Sequence, residues 1–146
     1  MSLHIVVEIR NRTRLLVVEA VRQFYNRFWG MKIGRGCIIS LGAKLDKSNP
    51  KGVEIGEYTA IAFGSAVLTH DWVGQAHKTT RIGRQCFIGC NVLVLPGVTI
   101  GDNCIVGAGS VVMTNIPDGS VVLGNPARIV ERNVMTTNWG VRVRAA

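Results

Sequence analysis

The stretch Ile82–Val112, IGRQCFIGCNVLVLPGVTIGDNCIVGAGSVV, has an aliphatic residue at every sixth position. This period matches neither the 3.6 residues of a helical turn nor the alternation of a single strand, and sustained hexapeptides are typical of a parallel β-helix. Each repeat there supplies one short strand and one turn, so the aliphatic residue faces a narrow core and Gly or Asn takes the bent corner. A sandwich rich in Val and Ile would not keep one phase through six repeats. The stretch therefore predicts an all-β solenoid.

The same period recurs earlier in the chain, and we term the aliphatic residues that follow it the anchors. They form three runs: Ile33, Ile39 and Leu45; Ile55, Ile61 and Val67; and Ile82, Ile88, Val94, Ile100, Val106 and Val112. The sequence thus predicts a helical cap at 1–30, a solenoid domain at 31–132 and a C-terminal tail at 133–146. Ten residues separate the first two runs and fifteen the last two, so inserted loops are expected at 46–54 and 68–81.

The second inserted loop holds two of the three histidines of the chain, His70 and His77. A regular solenoid needs no interruption, and loops held by a rigid scaffold are where binding and catalytic residues concentrate. His70 is therefore the leading candidate for a catalytic residue.

Before the first anchor, apolar residues recur at spacings of three and four: Val17, Val18, Val21, Phe24, Tyr25, Phe28 and Trp29. This pattern predicts an amphipathic helix of about four turns that ends at Gly30. We expect its apolar side to cover the open end of the solenoid, because an open end exposes strand edges. Residues 3–9 fit either a strand or the start of the helix. The arginines of this segment leave a second interpretation open, a helix lying on a membrane surface.

Composition agrees with a single domain of 146 residues, with 17 Gly and 47% hydrophobic residues. No run of 18 apolar residues is present, and arginines interrupt the N-terminal segment, so a cytoplasmic protein is expected. Cys37, Cys86 and Cys104 lie where the repeat needs a small inward side chain. They are expected to be free core thiols, and Cys90 is expected on the outside.

Four segments follow the signatures of one known family: Cys86–Asn91, Leu95–Gly101, Ile105–Val112 and Gly124–Arg128. On these segments the chain, from about residue 31 to 132, resembles the hexapeptide-repeat acyltransferases, whose fold is a left-handed parallel β-helix. Within the family it looks most like the small O-acetyltransferases of surface-polysaccharide, nodulation-factor and maltose or galactoside type. Its Thr-His-Asp-aromatic segment is most similar to the colanic-acid type.

The resemblance implies transfer of an acetyl group from acetyl-CoA to a sugar hydroxyl in surface polysaccharide biosynthesis, without a metal or a covalent acyl-enzyme. It implies His70 as the general base, a role that suits a neutral imidazole. Asp71 is expected to orient the imidazole, to bind acceptor hydroxyls or only to cap a turn. Asp46 and Trp72 are expected to bind the acceptor. The active sites of the family lie between subunits, so a homotrimer is expected.

The resemblance also implies a coenzyme A groove between neighbouring subunits. Its expected residues, from the pantetheine arm towards the phosphates, are Cys90, Ala108, Met113, Thr114, Arg128 and Arg132. Where the family often has Thr-Lys-Asp-Ile-Pro, this chain has Met113–Pro117 without the lysine. The arginines must therefore supply the phosphate contacts.

A net charge of +8 and a pI near 10 raise nucleic acid as a partner. However, residues 10–51 hold ten of the 17 Lys and Arg, residues 85–127 hold none, and no nucleic-acid-binding motif is present. We therefore expect no nucleic-acid partner. The charge suits coenzyme phosphates, anionic glycans, lipid-linked sugars or peripheral contact with the inner membrane.

Other functions of β-solenoids fit less well or stay open. A γ-type carbonic anhydrase needs three histidines on one zinc, and His4 is far from the other two in the sequence. A non-catalytic binding or assembly solenoid needs no histidine loop and no Gly-Asn-Pro-Ala ending. Two further interpretations stay open, an amino-sugar N-acetyltransferase and a serine O-acetyltransferase, because no residue pattern in the two inserted loops identifies the acceptor.

Overall fold

The computed structural model describes residues 3–143. A single long helix, α1 (Leu3–Phe28), precedes a region of short strands. The strands are β1 (Lys32–Ile33), β2 (Ile38–Ile39), β3 (Lys44–Leu45), β4 (Val53–Ile55), β5 (Ala60–Ile61), β6 (Ala66–Val67), β7 (His70–Asp71), β8 (Ala76–His77), β9 (Thr80–Ile82), β10 (Phe87–Ile88), β11 (Leu93–Val94), β12 (Thr99–Ile100), β13 (Ile105–Val106), β14 (Val111–Val112), β15 (Val121–Leu123) and β16 (Arg128–Glu131).

Three sheets of parallel strands form the β region. Sheet 1 contains β1, β4, β9 and β12; sheet 2 contains β2, β5, β10, β13 and β15; and sheet 3 contains β3, β6, β11 and β14. Consecutive strands enter the three sheets in turn, so each set of three stacks on the preceding set. The order is consistent with the expected three-sided coil. At the far end, β16 joins sheet 2 as an antiparallel strand.

All twelve anchors are buried, with exposed fractions of 0–4%. They stack directly on one another: Ile88 pairs with Ile61 on one side and with Val106 on the other. The residue before each anchor is at least partly exposed, except Ala60, which is buried. The prediction of one inward-facing aliphatic residue per hexapeptide is therefore confirmed.

Replacing Ile88 by valine should lower the free energy of unfolding by about 1 kcal/mol, because the buried side chain loses one methylene from a packed core. The matched control is Ile5→Val, whose side chain is 49% exposed on α1. That control should cost less than about 0.5 kcal/mol. Urea unfolding of both variants at one protein concentration measures the difference. Equal losses would contradict close packing around Ile88.

Helix α1 is longer than predicted. It has 26 residues, about seven turns rather than four, and residues 3–9 belong to it. Tyr25 and Trp29 pack against the core, and Asn26 exchanges hydrogen bonds with the backbone of Ile33. The helix therefore contacts the first strands through one side of its C-terminal half. Within residues 3–143, no helix combines the length and apolarity that crossing a membrane requires.

The corner between sheets 1 and 2 uses a left-handed backbone conformation in successive turns. The residues there are Gly36, Tyr58, Gln85 and Asn103, with φ between 54° and 68°. Gly and Asn agree with the sequence expectation, whereas Tyr58 and Gln85 do not. The C-terminal tail packs over both: the Trp139 N–H donates to the Tyr58 carbonyl and Thr136 Oγ1 donates to the Gln85 carbonyl. These contacts help to hold two residues in a strained conformation.

The four cysteines lie where the repeat predicts. Cys37, Cys86 and Cys104 are buried and free, and Cys90 is partly exposed. Burial raises the pKa of the Cys37 thiol to about 11, which keeps it protonated at neutral pH.

Candidate active site

His70 lies on a hairpin that leaves the β region between sheet 3 and sheet 1. In this hairpin β7 and β8 run antiparallel, and His70 pairs with His77. Trp72 and Val73 at its tip are 77% and 93% exposed. The hairpin occupies the inserted loop that the sequence predicts at 68–81.

The carboxylate of Asp46 contacts the imidazole of His70. Asp46 Oδ2 lies 2.6 Å from His70 Nδ1 and accepts the backbone N–H groups of Thr69 at 2.9 Å and His70 at 3.0 Å. Asp46 Oδ1 accepts the N–H of Ser48 at 2.8 Å. Asp46 is 8% exposed, whereas the His70 side chain is 28% exposed. The carboxylate thus fixes the ring from the protein side and leaves its other edge accessible.

Asp46 is held in its ionised form. Burial alone would raise its pKa, but hydrogen bonds donated by the Thr69 N–H, the His70 ring and the Ser48 and His70 N–H groups hold that pKa well below its usual range. An ionised carboxylate only accepts hydrogen bonds, so the proton of a neutral His70 ring lies on Nδ1. The lone pair then lies on Nε2.

The stacking of sheet 3 explains why these two side chains meet. Leu45 of β3 pairs with Val67 of β6, so Asp46 and the segment before His70 leave the sheet at the same corner of adjacent turns. Both breaks in the hexapeptide period begin at this corner. The sequence assigns Asp46 to acceptor binding; the structure places its carboxylate in four hydrogen bonds inside the protein, one of them to the imidazole of His70.

Asn49 joins the two inserted loops behind the histidine. Its Nδ2 donates to the carbonyls of Thr69 at 3.0 Å and Lys78 at 3.3 Å, and Thr69 Oγ1 donates to the Asn49 carbonyl at 2.7 Å. A Cβ on Gly52 would lie 2.6 Å from Asn49 Nδ2, so glycine is required beside it. The sequence predicts only an inserted loop at 46–54, and the role of Asn49 in supporting the hairpin is seen only in the structure.

Asp71 does not orient the imidazole, because Asp46 occupies the position beside Nδ1. The Asp71 carboxylate accepts the Gly74 N–H at 2.9 Å and lies 3.5 Å from Lys78 Nζ. Of the roles expected for Asp71, capping the hairpin turn is the one that the structure contains.

The residues predicted for the coenzyme fall in three places. These are the corner between sheets 2 and 3 (Cys90, Ala108), the corner after sheet 3 (Met113, Thr114), and β16 with the residue after it (Arg128, Arg132). His70 lies at the same corner as Met113 and Thr114. Cys90 and Ala108 lie on the other side of sheet 3. A single chain therefore does not gather all six residues around His70.

Two features of these residues bear on a bound coenzyme. Cys90 and Ala108 end a column of equivalent corner residues that begins with Leu41 and Phe63, so the side chains become small along the column. Arg128 and Arg132 are exposed. Arg128 begins β16, which pairs with β15.

A cavity of about 790 Å³ lies elsewhere, between α1 and sheet 2. Val17 and Val21 line it from the helix, and Phe63 and Phe87 from the sheet side. None of the predicted site residues line this cavity. Among residues 3–143, no three His, Cys, Asp or Glu side chains are arranged to hold a metal ion.

Comparison with known proteins identifies the family. Residues 79–114 match the family model "Bacterial transferase hexapeptide (six repeats)". The "Putative acetyltransferase YvoF" of Bacillus subtilis (strain 168) is 33% identical over 128 residues, which are 86% of this chain and 73% of that protein. The "Putative colanic acid biosynthesis acetyltransferase WcaF" of Escherichia coli (strain K12) is 33% identical over 140 residues, covering 79% of this chain and 76% of that protein.

A solved structure has the same fold. Serine acetyltransferase (CysE) of Neisseria gonorrhoeae matches with a TM-score of 0.63 and 28% identity, over 73% of this chain. The matched part is 40% of that longer chain. The protein described here therefore belongs to the hexapeptide-repeat acetyltransferase family, and it is an acyltransferase.

Proposed function

We propose that the protein is a cytoplasmic, acetyl-CoA-dependent O-acetyltransferase that acts on a sugar hydroxyl in surface polysaccharide biosynthesis, with His70 as general base. The observation that carries this proposal is the 2.6 Å contact between Asp46 Oδ2 and His70 Nδ1. The similarity to the Escherichia coli protein, whose name gives colanic acid biosynthesis, supports the polysaccharide acceptor.

The contact prepares His70 for proton transfer. With a proton on Nδ1, Nε2 can accept the proton of the acceptor hydroxyl while the hydroxyl oxygen attacks the acetyl carbonyl carbon. Asp46 stabilises the positive charge that then develops on the ring. The ring returns the proton from Nε2 to the departing sulfur, so the ester and the free thiol form with no net change in charge. Acetyl-CoA, when bound, supplies the activated thioester.

The residues expected at the coenzyme suit a long, partly anionic ligand. The small side chains of Cys90 and Ala108 leave the corner between sheets 2 and 3 open to close approach. The exposed guanidinium groups of Arg128 and Arg132 can form charge-assisted hydrogen bonds to phosphates.

We also propose that the sheets form a left-handed β-helix and that three chains share their active sites. Since sheet 3 separates Cys90 and Ala108 from His70 within one chain, a groove that serves both needs a second chain. The outward residues of sheet 2 are apolar, namely Ile38, Ala60, Phe87 and Ile105, whereas sheet 1 carries Lys32, Glu54 and Arg81. Since Ile38, Ala60 and Phe87 line the cavity between α1 and sheet 2, a subunit interface on this sheet would use the apolar walls that α1 leaves uncovered. A fully active monomer in sedimentation would contradict the shared site.

Serine or an amino sugar is the second candidate acceptor. It is favoured by the similarity to serine acetyltransferase, at 28% identity. Trp72 favours the sugar hydroxyl instead, because a flat aromatic ring exposed two residues beyond His70 can stack on a pyranose.

A thiol-release assay with acetyl-CoA and a panel of acceptors tests the proposal. The panel contains neutral sugars, nucleotide sugars, amino sugars and serine. We expect release with neutral sugars or nucleotide sugars and a product ester that alkali cleaves. Release with serine or amino sugars alone would contradict the sugar hydroxyl as acceptor, and release with none of them would contradict the proposed class of acceptor.

The double variant Arg128→Gln, Arg132→Gln should raise the KM for acetyl-CoA at least tenfold and make it less sensitive to salt. Each charge-assisted phosphate contact is worth roughly 1.5–3 kcal/mol when well formed. The KM for the acceptor should stay within about threefold by the same reasoning, because no acceptor contact is removed. The control Arg12→Gln, Arg35→Gln removes the same charge elsewhere. Wild-type coenzyme affinity of the double variant in titration calorimetry would assign the phosphates to Arg81, Arg84 or a neighbouring subunit.

A further inference from the structure

We propose that the outer face of α1, together with Lys47, docks the enzyme on an anionic membrane surface. This inference goes beyond the acetyl-transfer chemistry. It concerns the side of α1 that faces away from the sheets.

The positive charge of the protein is concentrated at this end of the chain. Residues 1–52 contain ten basic residues (Lys or Arg) and three acidic ones (Asp or Glu). Residues 53–146 contain seven basic and six acidic residues. The first part therefore carries +7 of the net charge of +8. Of this charge, α1 carries a net +3, from five arginines against Glu8 and Glu19, and Lys47 adds one. A positively charged face attracts an anionic partner over the distance of the ionic screening length.

Apolar side chains form an exposed stripe along α1. Its members are Ile9, Leu16, Val17, Ala20, Phe24 and Phe28. Spacings of three, four and seven residues place them on one face of the helix. The five large members are 49–72% exposed. Val17, on the side of the stripe nearer the sheets, also lines the cavity between α1 and sheet 2, whereas the other four large members do not line it. The opposite side, with Val18 and Tyr25, faces the β region and is half-buried.

Arginines lie along both edges of this stripe. By the helical period, Arg10 and Arg14 lie on one edge, Arg12 lies on the other, and Arg27 lies within the stripe, between the directions of Leu16 and Ala20. Within residues 3–143, Arg14 and Arg27 form no ion pair, and Arg12 pairs only with Glu8 of the same helix. An apolar stripe bordered by arginines is typical of helices that lie in the headgroup region of a membrane.

The stripe ends in a cluster of aromatic rings. Phe24 and Phe28 stack with their ring centroids 5.1 Å apart, and the ring of Trp29 meets Phe28 edge-on at 5.2 Å. Lys47 Nζ lies 5.4 Å from the centre of the Trp29 ring. Aromatic rings beside lysine and arginine are the groups that anchor proteins at the boundary between acyl chains and headgroups.

This surface adjoins the proposed active site. Lys47 follows Asp46 directly, and Asn49 of the same loop bonds the backbone of Thr69, next to His70. Docking through α1 and Lys47 would hold the His70 site close to the membrane, where a lipid-linked sugar could reach it. Only this last step rests on the proposed function.

A second copy of the chain is a less suitable occupant of the stripe. Two copies that met through it would bring the arginines of both helices together and would repel each other. In an anionic bilayer, the stripe can insert among the acyl chains while the arginines at its edges contact the negatively charged headgroups. The positive charge of this face therefore favours an anionic membrane over a second copy of the chain as its partner.

Vesicle co-sedimentation of the full chain, without coenzyme or acceptor, tests the proposal. We expect binding to phosphatidylcholine vesicles that contain 40% phosphatidylglycerol to be at least tenfold tighter than to pure phosphatidylcholine, and to weaken between 0.05 and 0.5 M NaCl. The variant Phe24→Ser, Phe28→Ser should lose at least tenfold in affinity for the anionic vesicles. The variant Arg10→Gln, Arg27→Gln should lose affinity and salt dependence together.

The matched controls are Met135→Ser, Val141→Ser for exposed apolar area and Arg35→Gln, Arg84→Gln for charge. Both should bind anionic vesicles like the wild type, and circular dichroism should show every variant folded. Wild-type binding by the phenylalanine variant, or equal binding of the wild type to both vesicle types, would overturn the proposal. A smaller oligomer for the phenylalanine variant in sedimentation would assign the face to a second copy and would also overturn it. If the protein did not transfer acetyl groups to a sugar, these binding results would still stand, because the vesicle assay contains no substrate.

Discussion

Replacing His70 with alanine is expected to lower kcat for acetyl transfer by about 10²- to 10⁴-fold, the range that removal of a general base produces. The loss should fall on kcat, with the KM for acetyl-CoA changed less than about threefold, because the imidazole acts on the acceptor hydroxyl. The variant removes one of the four hydrogen bonds to the buried Asp46 carboxylate, so it should lower the free energy of unfolding by about 1–3 kcal/mol and stay folded. Initial rates of thiol release at saturating acetyl-CoA give kcat, and thermal unfolding gives the stability.

His77 provides the matched control, since it pairs with His70 across the same hairpin and is exposed. His77→Ala should retain kcat within about threefold and act at most on the KM for the acceptor. If His77→Ala abolished turnover while His70→Ala stayed active, the assignment of the base would be reversed. His70→Gln adds a second check, because the amide fills similar space without a basic nitrogen.

The fold could be predicted from the sequence because the hexapeptide period reports one physical constraint, a narrow core that admits one aliphatic residue per strand. The twelve anchors follow that constraint and are all buried. The helix could be predicted less well. Its N-terminal half is largely exposed, so the usual contrast between a buried and a solvated face is weak there, and the periodicity gave only about four of its seven turns.

The catalytic candidate was also within reach of the sequence, because a histidine inside an interruption of the repeat is easily recognised. Its partner was not, since Asp71 is adjacent to His70 in the chain whereas Asp46 is adjacent only in space. The pairing of Leu45 with Val67, 22 residues apart, brings Asp46 beside the hairpin. Because both inserted loops begin after anchors at equivalent positions of the repeat, stacking of the turns places Asp46 beside the segment before His70. The corner residues Tyr58 and Gln85 could not be found this way, because the tail that supports them lies far away in the sequence.

Replacing Asp46 with asparagine is expected to lower kcat by about 10²-fold while the KM values change little. The amide places an NH₂ group against a site that now receives four donors, so at least one hydrogen bond is lost. An amide that donates to Nδ1 of His70 favours the tautomer with the proton on Nε2, which cannot act as a base. Asp46 is a positioning residue in this scheme, since it acts through the ring.

The free energy of unfolding provides an independent test of the Asp46 carboxylate. The variant should unfold about 1.5–3 kcal/mol more easily at pH 7, the range for a hydrogen bond to a buried charged group. Because the folded-state pKa of Asp46 is depressed, its contribution is present above the unfolded value near 3.9 and is lost as pH falls towards the folded value. The stability difference between wild type and variant should therefore narrow below about pH 4. Urea unfolding at pH 7, 5, 4 and 3 measures it. Asp71→Asn, which changes the carboxylate adjacent in sequence, should leave kcat within about threefold. A loss of kcat in Asp71→Asn and none in Asp46→Asn would contradict the role of Asp46.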